Sequence, residues 1–439
     1  MPDERTEQYA QRLAALIRQE TVSSQNQTDK RKFHDFQELL REQFPNVFAC
    51  CEQEDFDGSF LLRWKGNSSK SPVMLMNHHD VVEAPGSWTY PPFSGTIADG
   101  KLWGRGTLDT KCGLWAMLQA AEELVRNGFV PNRDVYFVSA CTEETDGSGA
   151  KAISDELKHR GIRFDLVLDE GGMILEEPIG GAKGIFAMIG LGEKGCADLQ
   201  FVARSSGGHA STPGKNTPLV RLGKFMAAAE DASLFRADMH PVVQEMLRRI
   251  SATMSQPVKF ILGHPEWFKK WLLKLMPEVS HSAGAMLKTT LAFTMAKGSE
   301  GSNVLPQEAW VMGNMRYSHH QGRESSIEAV RSLASRYDIE TVVVDPGFSS
   351  PMSDYRSEGF RLVEKAVAAV FPGVIPSPYL MTGASDSRFM GQICDTCIRF
   401  APIFVSETQM GSIHGIDENV DLSALAPAVD FYKYILTEV

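Results

Sequence analysis

The stretch Met74-Leu-Met-Asn-His-His-Asp-Val-Val82 constrains the fold more than any other part of the chain. An apolar run climbs into two histidines and an aspartate, then falls back into valines. That pattern predicts a buried β-strand whose end opens into polar chemistry. Residues two apart along a strand face the same side, so His78 and Asp80 share a face while His79 points away. An imidazole with a carboxylate beside it suits a metal ligand and its supporting group. Alone, the motif fits a core histidine near a loop equally well, and partners further along the chain have to decide.

The same alternation continues. Helical spacing over Glu7–Gln19 and Phe33–Phe44 and a strand at Ser59–Trp64 precede the motif. After it, Gly104 and Gly106 allow a tight bend, Asp109 follows at the turn, and Leu114–Val125 reads as a helix. Asp134–Ala140 is a strand running into Thr142-Glu-Glu-Thr-Asp146, and Phe164–Leu168 is a strand ending in Asp169-Glu170-Gly-Gly. Strand, acidic end, helix, strand is the α/β pattern, in which ligands gather at the carboxyl ends of strands. From Gly190 the texture changes to strands at Asp198–Ala203, Thr289–Met295, Ala309–Tyr317 and Glu340–Val344. A polar Arg204–Gly214 turn and a helical Pro265–Met276 stretch, striped with Trp267, Phe268, Trp271, Leu272 and Leu275, lie among them. Signals near Tyr355–Ala369 and Ile398–Phe404 return to the first pattern. The expected organisation is a catalytic domain over residues 1–189 and 351–439, interrupted by an α+β insert over residues 190–350.

Composition excludes some partners. With 439 residues and a formal net charge of -11, the chain does not suit nucleic acid and gains no help toward a membrane surface. No apolar run spans a bilayer, and the acidic start Met-Pro-Asp-Glu-Arg is not a secretory signal. Seven scattered cysteines suit a reducing cytoplasm. Cys394 and Cys397 form a CxxC, but within what reads as a half-buried strand.

Five positions at strand ends or turns then form a set: His78, Asp109, Glu144 beside Glu143, Glu170 beside Asp169, and His414 in Gly-Ser-Ile-His-Gly. Two imidazoles and three carboxylates can hold two divalent ions that share one bridging carboxylate. Such ions, roughly 3.5–4 Å apart, activate a water and polarise a carbonyl. The water needs a base, and a carboxylate beside the ligands but not itself one is suited to that. The Glu143-Glu144 pair supplies one of each.

In these motifs the chain resembles the dinuclear zinc metallopeptidase family that includes aminoacylase, carboxypeptidase G, carboxypeptidase S and succinyl-diaminopimelate desuccinylase. The matching pieces are His78-His-Asp80, Gly104-Arg-Gly-Thr-Leu-Asp109-Thr-Lys, Glu143-Glu144, Leu168-Asp-Glu170-Gly, Gly208-His209-Ala, Asn303-Val-Leu-Pro306, the Gly383–Arg388 turn and His414-Gly. The resemblance implies a zinc-peptidase-like α/β/α catalytic domain with an inserted α+β lid that also dimerises. It implies metal ligands His78, Asp109 (bridging), Glu144, Glu170 and His414, with Glu143 as base and Asp80 in support. His209 would reach the partner subunit's site and stabilise an oxyanion. Asn303, Arg316, Ser385, Asp386 and Arg388 would line the substrate site. Thr145-Asp-Gly-Ser-Gly149 departs from the family by one residue. Either Asp169 or Glu170 offers a ligand, and the family pattern favours Glu170. The Leu-Asp-Glu-Gly-Gly and Asp386-Ser-Arg388 forms are similar to the aminoacylase and carboxypeptidase S members.

The implied function is hydrolysis of an amide next to a free carboxylate, in a small peptide or an N-acyl amino acid. Two divalent ions per chain would serve it: zinc first, cobalt or manganese as substitutes. A cytoplasmic homodimer joined through the lids, acting on neither nucleic acid nor membrane, completes the expectation. The alternatives are a biosynthetic deacylase of the acetylornithine or succinyl-diaminopimelate type, and a non-catalytic metal-binding protein on the same scaffold.

Overall fold

The structure is a computed structural model and describes residues 3–439. Its centre is an eight-stranded mixed sheet in the spatial order Glu52–Phe56, Ser59–Trp64, Val135–Ser139, Val73–Met76, Leu166–Glu176, Cys397–Val405, Ile185–Glu193, Ile375–Met381. The inner pairs on either side of Val73–Met76 are parallel, and Leu166–Glu176 pairs in parallel with Cys397–Val405. Parallel strands are buried on both faces, and every residue of Val73–Met76 and Val135–Ser139 is buried. Val73 and Leu75 enter the core formed with the helices Glu4–Arg18, Lys111–Arg126, Glu358–Val370 and Leu425–Glu438. Met74 and Met76 face the opposite layer, with Ala150, Ile153 and Leu157 of the helix Ser148–His159. The architecture is therefore α/β/α.

Two readings of this sheet differ from the sequence expectation. The strand expected to end at Leu168 continues to Glu176, because it forms an antiparallel hairpin with Ile185–Glu193. It does so through a bulge. Arg399 pairs with Asp169 while the next residue, Phe400, pairs with Gly172, which leaves Glu170 and Gly171 unpaired. Ile375–Met381 carries Pro376 and Pro378 and lacks a strand signature, yet it pairs along the sheet edge, where a missing N–H is tolerated.

The chain leaves this sheet after Glu193 and enters a second one at Gly195. That sheet is antiparallel, ordered Thr290–Lys297, Glu308–Tyr317, Gly195–Arg204, Glu340–Asp345. Its apolar face is covered by the helices Pro218–Asp231 and Arg323–Ser335. Between Asp231 and Thr290 the chain makes four more helices: Pro241–Ser251, Val258–Gly263, Lys269–Val279 and His281–Leu287. The first of these packs Val243, Met246 and Leu247 on Phe186, Met188 and Leu380 of the large sheet.

Candidate active site

His78 lies two residues beyond Val73–Met76, and both its nitrogens are engaged. Nδ1 is 2.9 Å from the main-chain oxygen of Asp80, and Nε2 is 3.0 Å from Asp109 Oδ1. His414 follows the helix Glu407–Ser412 in a left-handed conformation, φ 59°, uncommon for a residue with a side chain. Its Nε2 is 3.1 Å from Asp109 Oδ2 and 3.1 Å from Glu144 Oε2. Each oxygen of Asp109 thus faces a different imidazole.

The electrostatics follow from this crowding. Burial opposes charge on His78, yet the Asp109 and Asp80 carboxylates hold its pKa well above the ordinary histidine value. Hydrogen bonds to Asp109 and Glu144 push His414 up to about 10. Burial would raise Asp109, but His414 and His78 outweigh it and pull it well below the usual carboxylate range. Glu143 is pushed up to about 7, mainly by burial and further by the Glu144 and Asp109 charges, against the pull of His78 and Arg388. Burial and the Asp169 and Asp109 charges hold Glu170 well above its ordinary value.

Asp80 does something its position in the motif does not announce. Its carboxylate is farther from His78 Nδ1, at 3.5 Å, than its own main-chain oxygen is. The two oxygens instead accept from the main-chain N–H groups of Glu143, at 3.2 Å, and Glu144, at 3.1 Å. Asp80 therefore orients the loop carrying both glutamates. His79 turns into the core, stacked on Phe36 with Nδ1 at 2.8 Å from Ser139 Oγ.

Asp169 and Glu170 are separated by their partners. Asp169 accepts from the N–H of Glu170, at 2.9 Å, and of Ser387, at 2.7 Å, so its carboxylate is spent on backbone. Glu170 sits in the bulge, a device that re-aims a side chain beside a site, and it feels the charges of Asp109, His78 and Glu143.

Arg388 donates from Nη1 to Glu143 Oε1 at 3.2 Å and lies between the rings of Phe348 and Phe389. Gly147 makes room for it; a Cβ there would lie 2.4 Å from Arg388 Nη2, and its φ of 68° suits glycine. Asp386 is buried beside this pair, and neither of its oxygens has a hydrogen-bond partner. Ser385 donates to Glu193 Oε1 at 2.6 Å. His209 and Asn303 lie apart from this cluster, in the two-stranded ribbon Gly208–His209 with Val304–Leu305. There the His209 ring nitrogen meets Ser211 Oγ at 2.7 Å, and Asn303 is exposed. Arg316 is half-buried in the second sheet, with Nε donating to Asn314. Among the described residues, none of these three bonds to the cluster around Asp109.

Two buried ion pairs escape a reading of the sequence. Glu418 Oε1 accepts from the N–H groups of Gly106, Leu108 and Asp109 at 3.1, 2.7 and 3.2 Å. Its Oε2 accepts from Arg105 Nη1 at 2.7 Å, and Arg105 Nη2 reaches the carbonyl of Gly415 at 2.7 Å. The turn carrying Asp109 is thereby tied to the loop carrying His414. Glu193 similarly takes Arg399 Nε at 2.6 Å, together with Ser385. Arg399 is a cation inside the apolar run Cys397–Val405, and that was a usable signal; Glu418 stands in a loop and carried none.

The donor set suits a divalent metal. One ligand atom each from His78, Asp109 and Glu144 falls within 4.8 Å of the others. Glu144 Oε1 is buried without a hydrogen-bond partner. Unsatisfied buried carboxylate oxygen beside imidazole nitrogen is the chemistry a zinc-class cation takes up.

The comparison with known families then decides the class. Residues 74–438 match the model of peptidase family M20/M25/M40. The chain belongs to this family. It is 31% identical over 430 residues to the N-fatty-acyl-amino acid synthase/hydrolase PM20D1 of Homo sapiens, covering 95% of this chain and 85% of that protein. It is 29% identical over 450 residues to the probable carboxypeptidase S-like 2 of Dictyostelium discoideum, covering 98% and 84%. The fold is shared with the M20 metallo-carboxypeptidase Sso-CP2 from Sulfolobus solfataricus, at TM-score 0.70 and 16% identity over 99% of both chains. As a member of the M20 family the chain is a metal-dependent hydrolase of amide bonds.

Proposed function

We propose that this M20 chain hydrolyses the amide of small peptides or N-acyl amino acids at a centre of two divalent ions, zinc first. His78, Glu170 and Asp109 would hold one ion, and His414, Glu144 and Asp109 the other. One observation carries the reading: the two oxygens of Asp109 meet His78 and His414 separately, at 3.0 and 3.1 Å, the disposition of a bridging carboxylate. When bound, the ions supply Lewis acidity to the scissile carbonyl and to the attacking water.

The chain's own groups do the rest. Glu143 takes the proton of the water and hands it to the departing amine. Its Oε2 serves, because Oε1 is engaged by Arg388. Its enclosure, which in the metal-free chain favours the protonated form, suits a carboxylate that must hold a proton between accepting and returning it. Asp80 keeps Glu143 and Glu144 in register through their main-chain amides. Arg388 is enclosed and partly committed to Glu143, so Arg316 is the freer cation for a substrate carboxylate, alongside Asn303 and the Ser385–Arg388 turn. His209 would serve a partner subunit, and the working unit would then be a homodimer joined through the smaller domains. All seven cysteines are unpaired, which fits a reducing compartment such as the cytoplasm.

The test combines metal analysis with a substrate panel of N-acyl amino acids, dipeptides and their C-terminal amides. Likeness to the human N-fatty-acyl-amino acid enzyme puts the N-acyl branch first. Two ions per chain, activity lost to a chelator and restored by zinc, cobalt or manganese, and preference for the free acids are expected. No hydrolysis with any of these metals would overturn the reading, and equal rates on the amides would remove the carboxylate clamp.

A further inference from the structure

The excursion between Asp231 and Thr290 carries an apolar surface that the described residues leave uncovered. Leu272, buried to 2% exposure, anchors the helix Lys269–Val279 to the core beneath. Beside this anchor the helix surface is open, with Trp271 50%, Leu275 38% and Val279 75% exposed. Spaced four apart, they form one row along the helix. Trp267, 68% exposed, stands just before the helix, and Val258 and Phe260 are each 46% exposed on the preceding one. The aromatics are already assembled: His264 and Trp267 stack with ring centres 4.4 Å apart, and Phe260 lies 4.9 Å from His264 and 6.1 Å from Trp267. Contiguous exposed apolar surface of this kind marks an interaction site.

The charges beside it are a second observation. From Val258 to Val279 the chain has four lysines and two glutamates, in a protein whose net charge is -11. Glu266 is paired with Arg248 and Lys269 with Asp238. Lys259, whose Nζ donates to the carbonyl of Ala252 at 3.0 Å, Lys270 and Lys274 are exposed, and the last two sit four apart in a row that adjoins Trp271 and Leu275 and runs on to the exposed Glu278. Aromatic and aliphatic side chains flanked by lysines, whose stems lie along the apolar face while their heads reach outward, are built for a lipid–water boundary. A second copy of the chain is the competing occupant: a two-fold contact could set Lys270 opposite the exposed Glu278, but it would also bring together two faces on which lysines outnumber glutamates, which disfavours it relative to an acidic surface. No described helix is long and apolar enough to cross a membrane, so the contact is peripheral.

We propose that the helical pair Val258–Val279 docks on an anionic lipid surface. Phe260, Trp267, Trp271, Leu275 and Val279 seat at the boundary of headgroups and acyl chains, and Lys259, Lys270 and Lys274 lie over acidic headgroups. The overall acidity of the chain does not forbid this, because Debye screening confines the interaction to charges near the surface. The proposal is independent of which amide the active site cleaves.

The experiment is sedimentation of the full chain with phosphatidylcholine vesicles, with and without a minority of phosphatidylglycerol. Binding is expected to the anionic vesicles, weakened by salt. Lys270→Glu/Lys274→Glu should lower partitioning by about tenfold or more, and Trp267→Ser/Trp271→Ser should abolish it. These side chains are exposed, so circular dichroism and hydrolysis of a soluble substrate should match the wild type. Three results would overturn the proposal. One is no binding of the wild type to anionic vesicles. Another is binding that neither variant changes. The third is an oligomer in light scattering that Trp267→Ser/Trp271→Ser dissociates, which would give the surface to a second copy of the chain.

Discussion

Replacing Glu418 by glutamine isolates the tie between the Asp109 turn and the His414 loop. The carboxylate is fully buried; one oxygen accepts from three main-chain amides, and the other pairs with Arg105, whose side chain is 1% exposed. A glutamine carbonyl can still accept from the amides, but its NH₂ is then turned toward a guanidinium, donor against donor. Breaking one side of a buried ion pair costs about 3–5 kcal/mol, and the retained acceptor puts glutamine at the lower end, near 3 kcal/mol. Because Asp109 N–H and the Gly415 carbonyl both hang on this pair, metal affinity should fall as well, by the 10–100-fold typical of groups that orient ligands. Urea unfolding of the metal-free protein measures the first effect, and competition with a chelating indicator measures the second. Adding Arg105→Met should recover much of the stability, since the orphaned cation is then gone, but not the metal affinity. A Glu418→Gln protein with unchanged stability and unchanged metal affinity would refute the reasoning.

Glu143→Ala should keep its metal and its fold while turnover falls by roughly 10²–10⁴-fold; full activity, or loss of metal, would show that the base is assigned wrongly. His209→Ala and Glu143→Ala should each be nearly inactive, and verified mixed dimers of the two should regain activity, because one site then holds both residues; no recovery would place His209 outside the partner's site. His79 is lowered to about 3 by burial, so it stays neutral in the fold while the unfolded chain protonates it. Its contribution is full above the ordinary histidine pKa and is lost as pH falls from about 6.5 toward 3, by about 1 kcal/mol over the first unit and approaching about 1.4 kcal/mol per unit below that. His79→Phe should flatten that part of the pH dependence of unfolding, and an unchanged slope would contradict it.

What the sequence determined by itself is local. The apolar run into His78, the run into Glu143-Glu144 and the glycine-flanked Asp109 are each short-range patterns: an all-apolar segment must be buried, and its first polar residues must lie where burial ends. The α/β alternation follows from the same period. What the tertiary structure decided depends on partners distant in the chain. Whether the strand stops at Leu168 or runs on to Glu176, and that Glu170 is thrown into a bulge while Asp169 is tied to Ser387, is set by pairing with Cys397–Val405 and Ile185–Glu193. Ile375–Met381 is a strand despite two prolines because it lies at an edge. Glu418 has no local pattern at all; its amide partners lie more than three hundred residues away along the chain. A buried carboxylate must be satisfied by whatever donors the fold brings to it, and only the folded chain identifies them.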